Sequence, residues 1–197
     1  MTEELAALQY KTVCSIVSEN ARVLDLGCGS GELLLALKKC KKVKGQGIEL
    51  SEEAIHKCVE NGISVFHGDI ERGLIEYPDK AFDYVIMNQS MQEVRNVDYV
   101  VDEALRVGKQ VIIGFPNFAY VRSRIRLFFQ GEVPVTSSLP YRWYDTPNVH
   151  FLSIKDFRGY CRLKKIKVLD EYHLGEKKYV NFLPNLFATN AIYLVSK

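Results

Sequence analysis

The sequence predicts an α/β fold, a three-layer sandwich in which a mostly parallel sheet lies between two layers of helices. Two observations lead to this prediction. Short apolar segments alternate with segments of helical periodicity up to residue 115, and polar or glycine residues follow each of the first five apolar segments. Strands that alternate with helices pair in parallel through right-handed crossovers, and ligands bind beyond the carboxyl ends of those strands. We therefore expect a ligand site at that edge of the sheet.

Apolar periodicity and cap residues define the elements of the first 115 residues. Ser51 is a good N-cap, and Glu52 and Glu53 follow it in the first turn, where acids are favoured. Asn61 and Gly62 are typical of a helix end. We predict helices over 5–20, from 31 into the lysine-rich segment, over 51–62 and over 98–107, and strands over 23–26, 44–50, 63–67, 82–87 and 111–115.

The pattern changes after the fifth strand. A helix is predicted over 120–130, and an irregular segment with three prolines follows over 131–148. Ser153 and Asp156 form a capping pattern that opens a helix to about Cys161, and strands over 165–171 and 191–196 complete the sheet. Loops as long as 131–148 are uncommon without a function. We expect one domain over 1–197, with an insertion at about 117–150 that forms a lid or a partner surface.

Composition excludes several classes of function. The chain has 197 residues and a net charge of +2, which gives no case for nucleic-acid binding or a polybasic membrane anchor. Its longest apolar runs are far shorter than the roughly 20 residues of a membrane span. The five cysteines are scattered, odd in number and without a C-x-x-C pair, so neither a disulfide framework nor a structural zinc site is expected. An acidic N-terminus unlike a signal peptide favours the reducing cytoplasm.

A glycine-rich turn joins the first strand to the next helix. Its sequence is Asp-Leu-Gly-Cys-Gly-Ser-Gly over 25–31, with the glycines spaced G-x-G-x-G. A dinucleotide fingerprint needs a third glycine at position 32, where this chain has Glu32, so a nicotinamide-dependent oxidoreductase is disfavoured. The turn also lacks the Lys-Ser/Thr of a nucleoside triphosphate loop.

This turn resembles the first motif of class I S-adenosylmethionine (SAM) methyltransferases. The resemblance implies a Rossmann-like fold with a seven-stranded sheet and an antiparallel C-terminal strand, and SAM or S-adenosylhomocysteine as the cofactor, with no metal. Acids that end the second and third strands then contact the ribose and the adenine. Each could alone be a solvated strand end, but their joint occurrence favours ligation. The implied cofactor-binding residues are Asp25, Gly27, Cys28, Gly29, Gly31, Glu49, Leu50, Asp69, Ile70, Asn88 and Gln89.

Four segments of the second half closely resemble the MetW family of methionine biosynthesis proteins. They are Asn-Gln-Ser-Met-Gln-Glu-Val over 88–94, Phe-Pro-Asn-Phe over 115–118, Pro-Val-Thr over 134–136 and the run over 139–150 that contains Trp-Tyr-Asp-Thr-Pro-Asn. The resemblance implies a role in methionine biosynthesis beside MetX, the homoserine O-acyltransferase. It leaves two functions open: methyl transfer to a small-molecule or protein acceptor, or SAM sensing by a non-catalytic partner subunit.

The segment after the fifth strand should distinguish these two functions. An enzyme should enclose an acceptor pocket there, whereas a partner subunit should expose an apolar patch, made by Val121, Ile125, Phe128 and Phe129. An acceptor with an acidic proton would need a general base, for which His150, Asp145 and Tyr141 are candidates. Tyr141, Trp143 and Tyr144 could cover the methyl donor or fill a seam under the loop, and Asn117 lies where class I enzymes contact the acceptor.

Overall fold

The structure, a computed structural model, describes residues 2–72 and 74–197. The chain forms strands and helices that alternate as the sequence predicts. The helices are α1 (Glu3–Ile16), α2 (Glu32–Lys41), α3 (Glu52–Glu60), α4 (Val97–Val107), α5 (Val121–Gln130), α6 (Ile154–Lys164) and α7 (Pro184–Phe187). The strands are β1 (Arg22–Leu26), β2 (Lys44–Glu49), β3 (Ser64–His67), β4 (Phe82–Asn88), β5 (Gly108–Pro116), β6 (Lys167–Leu174) and β7 (Asn190–Ser196).

The strands form one sheet in the order β3-β2-β1-β4-β5-β7-β6. Neighbours from β3 to β5 pair in parallel, and β7 runs antiparallel to both β5 and β6. The predicted α/β fold with an antiparallel C-terminal strand is therefore confirmed. The strand order reverses between β1 and β4, which is the point where sheets of this type bind ligands.

Two hydrophobic cores cover the two faces of the sheet. Helices α1, α2 and α3 contribute to one core, and α4 and α6 contribute to the other. Side chains of β4 alternate between them: Tyr84 and Ile86 lie in the first core, and Val85 and Met87 lie in the second. Each fully buried side chain of this size contributes roughly 1.5–3 kcal/mol, so burial on both faces fixes the central strands and the edge where they end.

Element ends follow the predicted caps closely. The Ser51 hydroxyl accepts a hydrogen bond from the Ala54 amide, and Ser153 with Asp156 forms the predicted capping box. Helix α6 continues three residues beyond Cys161, to Lys164. Its C-cap residue is Lys165, whose φ is 56°. Because that left-handed residue belongs to the helix end, β6 starts later than predicted, at Lys167. Helix α7 and a short 3₁₀ helix, Met91–Glu93, were not predicted.

The structure contains a disulfide, where the sequence analysis expects no disulfide framework. Cys14 of α1 and Cys40 of α2 form a disulfide, with their Cα atoms 6.6 Å apart. The prediction was wrong because it rested on spacing along the chain, while the pairing results from the packing of α1 against α2. Cys28, Cys58 and Cys161 are free and buried. A cytoplasmic location stays a prediction.

Residues 131–153 contain neither a helix nor a strand. The far end of this segment is fixed to the body, because the Val149 and His150 amides donate to the Gln92 carbonyl at 2.9 and 3.0 Å. The Phe118 amide donates to the Leu152 carbonyl at 3.0 Å. Among the described residues, no helix combines the length and the apolar character that crossing a membrane would require.

Candidate functional site

The glycine turn after β1 depends on three left-handed residues. Gly27, Gly29 and Gly31 have φ values of 72°, 53° and 79°. A Cβ on Gly27 would lie 2.9 Å from the Cβ of Ser90, whereas a Cβ on Gly29 would meet no atom within 4 Å. Gly27 therefore allows close packing of the turn against the residues after β4. Gly29 leaves open the space in front of the turn.

Hydrogen bonds to β2 hold this turn in place. The Gly27 and Cys28 amides donate to the Ile48 carbonyl at 2.9 and 3.2 Å, and the Gly29 amide donates to Glu49 Oε2 at 2.8 Å. The sulfur of Cys28 lies 4.0 Å from that of Cys58. Because these amides already have partners inside the protein, the turn contributes shape and close backbone approach rather than a set of free donors.

A cavity of about 190 Å³ opens in front of the turn. Two of its lining side chains are carboxylic acids, Asp25 and Glu32, and no lysine, arginine or histidine of the described residues lines it. The lining residues are Tyr10, Asp25, Gly27, Cys28, Gly29, Ser30, Glu32, Leu33, Asn88 and Gln89. An acidic cavity without a basic side chain favours a cationic ligand and repels phosphate groups.

Asp25 is the most perturbed acid of the cavity. Its side chain is buried, and burial raises its pKa to about 7, with the nearby Glu49 carboxylate adding to the shift. A buried carboxylate is unfavourable when charged and gains from an adjacent cation. A positively charged group in the cavity would therefore lower the pKa of Asp25 and favour its ionised form.

Tyr10 of α1 closes one side of the cavity. Its hydroxyl donates to Glu32 Oε2 at 3.0 Å and so links α1 to the start of α2. The sequence analysis missed this residue, because helical periodicity gives the face of α1 but not the element that α1 packs against.

The acids predicted to contact ribose and adenine, Glu49 and Asp69, do not line this cavity. Glu49 Oε1 accepts from the Leu50 and Ser51 amides at 2.9 Å each, and Asp69 accepts from the Glu71 amide at 2.9 Å. The Leu50 side chain is exposed and Ile70 is half-buried. Both carboxylates accept hydrogen bonds from nearby backbone amides, and their roles toward ribose and adenine stay predictions.

Buried polar atoms without partners lie on the residues that follow β4 and on Gln9 of α1. Among the described residues, Gln9 Nε2, Gln89 Nε2, Ser90 Oγ and Gln92 Oε1 are buried and make no hydrogen bond. Gln89 also has a φ of 67°, unusual for a residue with a side chain. Such atoms are few in native proteins, so the unpaired amide of Gln89, which lines the cavity, points to a polar ligand that pairs with it. Asn88 and Gln89 were predicted; Gln9, Ser90 and Gln92 were missed.

The predicted acceptor and catalytic residues do not converge on this cavity. The Asn117 side chain is buried and donates to the carbonyls of Ala188 and Asn185 at 2.8 and 3.3 Å. His150 and Asp145 are exposed, and the Asp145 carboxylate accepts from the Arg142 amide within its own turn. Asn117, Asp145 and His150 do not line the cavity. Neither do Tyr141, Trp143 and Tyr144.

The aromatic side chains instead face a separate groove of about 760 Å³. Trp143 and Tyr144 line it together with Arg126, Arg142 and the segment 131–135. Tyr141 lies beside it and is half-exposed. Within the described part of the chain, no group of three or more histidine, cysteine or acidic side chains is arranged to hold a metal ion.

Comparison with known proteins agrees with this geometry. The sequence matches the family described as methionine biosynthesis protein MetW over residues 8–195. It is 36% identical, over 195 residues, to a bifunctional methionine biosynthesis protein MetXA/MetW of Rhodopirellula baltica; the match covers 92% of this chain. The chain spans only 31% of that longer relative.

More distant similarities concern methyltransferases. The chain is 25% identical over 195 residues to a demethylmenaquinone methyltransferase of Bacillus subtilis, covering 88% of this chain and 79% of that one. The crystal structure of a SAM-dependent methyltransferase from Archaeoglobus fulgidus superposes with a TM-score of 0.74 at 16% identity, covering all of this chain and 95% of the other. At that identity the similarity shows the fold.

Proposed function

The chain belongs to the MetW family of methionine biosynthesis proteins, and on that basis we propose that it is a SAM-binding subunit that supports a homoserine O-acyltransferase. Its fold is that of the class I SAM-dependent methyltransferases. The proposal has two parts, the ligand and the partner, and each has its own support.

The observation that supports SAM as the ligand is the acidic cavity at the glycine turn. SAM has a positive sulfonium and an ammonium group, which complement a cavity lined by Asp25 and Glu32 without a basic residue among the described ones. Glu49 and Asp69 would then pair with the ribose and the adenine, and the unpaired amide of Gln89 would pair with the amino-acid end. When bound, SAM supplies an electrophilic methyl group on positively charged sulfur.

The partner is supported by the segment after β5. That segment exposes apolar and aromatic side chains, as expected of a partner subunit, and its candidate general bases lie away from the cavity. The Rhodopirellula baltica relative carries the names MetXA and MetW on one chain, which favours a working association between the two proteins. Since SAM derives from methionine, binding it would report the output of the pathway to the acyltransferase.

Methyl transfer is the second candidate function. The methyltransferase relatives favour it, as does the unpaired amide of Gln89 in the lining of the cavity. In this alternative the protein mainly aligns the acceptor with the methyl group, and proximity provides much of the rate.

Calorimetric titration with SAM tests the ligand. We expect Glu49→Ala to weaken binding by about 1–3 kcal/mol through the loss of its bonds to the ribose, and an adenosine triphosphate titration to give no heat because its phosphates are repelled. Failure of millimolar SAM to bind would contradict the proposal.

An assay of the acyltransferase distinguishes the two functions. The enzyme from the same organism is mixed with this protein, with and without SAM, and acyl transfer and S-adenosylhomocysteine are both measured. A partner subunit changes acyl transfer without releasing S-adenosylhomocysteine over many turnovers. Continuous release would favour methyl transfer, and an unchanged acyltransferase would contradict the partnership.

A further inference from the structure

Helix α5 turns its apolar side chains away from the protein. Of its ten residues, all of them described, Ser123 alone is buried. Phe128 and Phe129 are 82% and 76% exposed, and Ile125 is about half-exposed. With Val121 these side chains form one stripe along the helix, because their spacing follows the 3.6-residue period. A surface helix normally buries such a stripe, so its outward direction indicates a surface that is covered in an assembly.

The groove beside α5 extends this apolar surface. Trp143 is 73% exposed and packs edge-to-face against Tyr144, which is also exposed. Arg126 of α5 and Glu132 line the same groove, so helix and groove are continuous. Exposed Phe, Trp and Tyr with interleaved arginines match the composition of interface centres, which are enriched in aromatic residues and arginine. The docking face comprises Val121, Ile125, Phe128, Phe129, Arg142, Trp143 and Tyr144.

The charges around this docking face are mainly positive. Arg122, Arg126 and Arg142 border it, against one lining acid, Glu132, which pairs with Arg126 at 2.8 Å. Arg122 lies 4.0 Å from Glu176. Arg142 makes no ion pair with the described residues. In a symmetric dimer through this face, the arginines of one copy would meet the same arginine-bordered surface of the other copy, whose acids Glu132 and Glu176 already lie beside Arg126 and Arg122. The charge therefore favours a different protein that presents acids around an apolar centre.

We propose that the docking face binds the homoserine O-acyltransferase through an apolar patch bordered by acidic side chains. This inference rests on the proposed function for the identity of the partner and adds the surface that binds it. Phe128, Phe129 and Trp143 enter the apolar centre, and Arg142 pairs with an acid at the edge. None of the residues of the docking face lines the cavity at the glycine turn.

Binding of the acyltransferase to surface variants tests this proposal. We expect Phe128→Ser with Phe129→Ser to weaken binding at least 100-fold, as measured by biolayer interferometry. Arg142→Glu should weaken it about tenfold and reduce its dependence on salt, because an attractive pair becomes repulsive. Leu163→Ser with Val59→Ser is the matched control: both side chains are exposed, on α6 and α3, and we expect a change below twofold.

SAM titration of each variant checks that the fold is intact. We expect unchanged SAM binding, because every substituted side chain is exposed. Wild-type protein that fails to bind the acyltransferase overturns the partnership and this inference together. Binding that survives the double phenylalanine substitution overturns this inference alone and leaves the partnership standing. Sedimentation analysis provides a further check: self-association of the wild type that the same substitutions abolish would show that a second copy covers the face.

Discussion

At the scale of single residues, the cavity depends both on a glycine without a side chain and on two acidic side chains. Gly29 has no Cβ where the cavity opens, and the acids Asp25 and Glu32 have no cation beside them among the described residues. The glycine spacing and the acids at strand ends could be predicted, because the turn and the strands are local features. Tyr10 could not, because it reaches the cavity only through the packing of α1.

Gly29→Ala should weaken SAM binding in addition to lowering the stability of the fold. A Cβ there meets no protein atom within 4 Å and points into the space in front of the turn. The left-handed φ costs about 1–2 kcal/mol of stability. Gly62→Ala is the matched control, because Gly62 has a φ of 66° and equally open surroundings outside the cavity. Calorimetry and urea unfolding should show similar losses of stability, with weaker SAM binding for Gly29→Ala alone. Equal SAM affinities would contradict the placement of Gly29.

The raised pKa of Asp25 makes the stability of the protein depend on pH. Between its ordinary value of 3.8 and about 7, the folded protein keeps a proton on Asp25 that the unfolded chain releases. The contribution of Asp25 to the free energy of unfolding therefore falls as pH rises through this window and is constant above it. Asp25→Asn removes this dependence, so the variant should gain ~2–4 kcal/mol relative to wild type between pH 4 and 7.5. Urea unfolding at several pH values measures the difference, and parallel curves would contradict it.

At the scale of elements, the strands and most helices follow from the sequence, while their partners do not. Ser51 and Ser153 are N-caps of helices. Both could be predicted from the sequence, because a cap forms its hydrogen bond within three residues. The outward stripe of α5 has the same periodicity as a buried one, so sequence alone cannot say which way it faces. The Cys14–Cys40 disulfide likewise depends on the contact between α1 and α2.

Loss of this disulfide should destabilise the protein and loosen α1, which carries Tyr10 over the cavity. Its cysteines are 26 positions apart, and closing a loop of that size stabilises a protein by about 3 kcal/mol. We expect a reducing agent to lower the melting temperature of the wild type. It should leave the melting temperature of the double variant Cys14→Ser with Cys40→Ser unchanged. A thiol titration of the denatured, unreduced chain should count the three free cysteines, Cys28, Cys58 and Cys161. A count of five would contradict the pairing.

At the scale of the whole molecule, one turn joins the cavity to the segment that carries the docking face. Gln89 lines the cavity, and its carbonyl accepts from Gln92 Nε2 at 2.7 Å. The Gln92 carbonyl in turn accepts from the amides of Val149 and His150, which end the segment carrying Trp143 and Tyr144. A ligand that pairs with Gln89 would therefore act on the same turn that holds the segment carrying Arg142, Trp143 and Tyr144 of the docking face.

We expect Gln92→Ala to reduce the coupling between SAM and the acyltransferase. The variant loses the side-chain bond to Gln89 but keeps the backbone carbonyl that holds residues 149 and 150. Coupling between two sites is commonly about 1–3 kcal/mol and acts equally in both directions. If SAM changes acyltransferase affinity in the wild type, the acyltransferase must change SAM affinity by the same factor, and both factors should approach one in Gln92→Ala. Gln110→Ala, near the opposite end of β5, is the control. Undiminished coupling in Gln92→Ala would show that this turn does not connect the two sites.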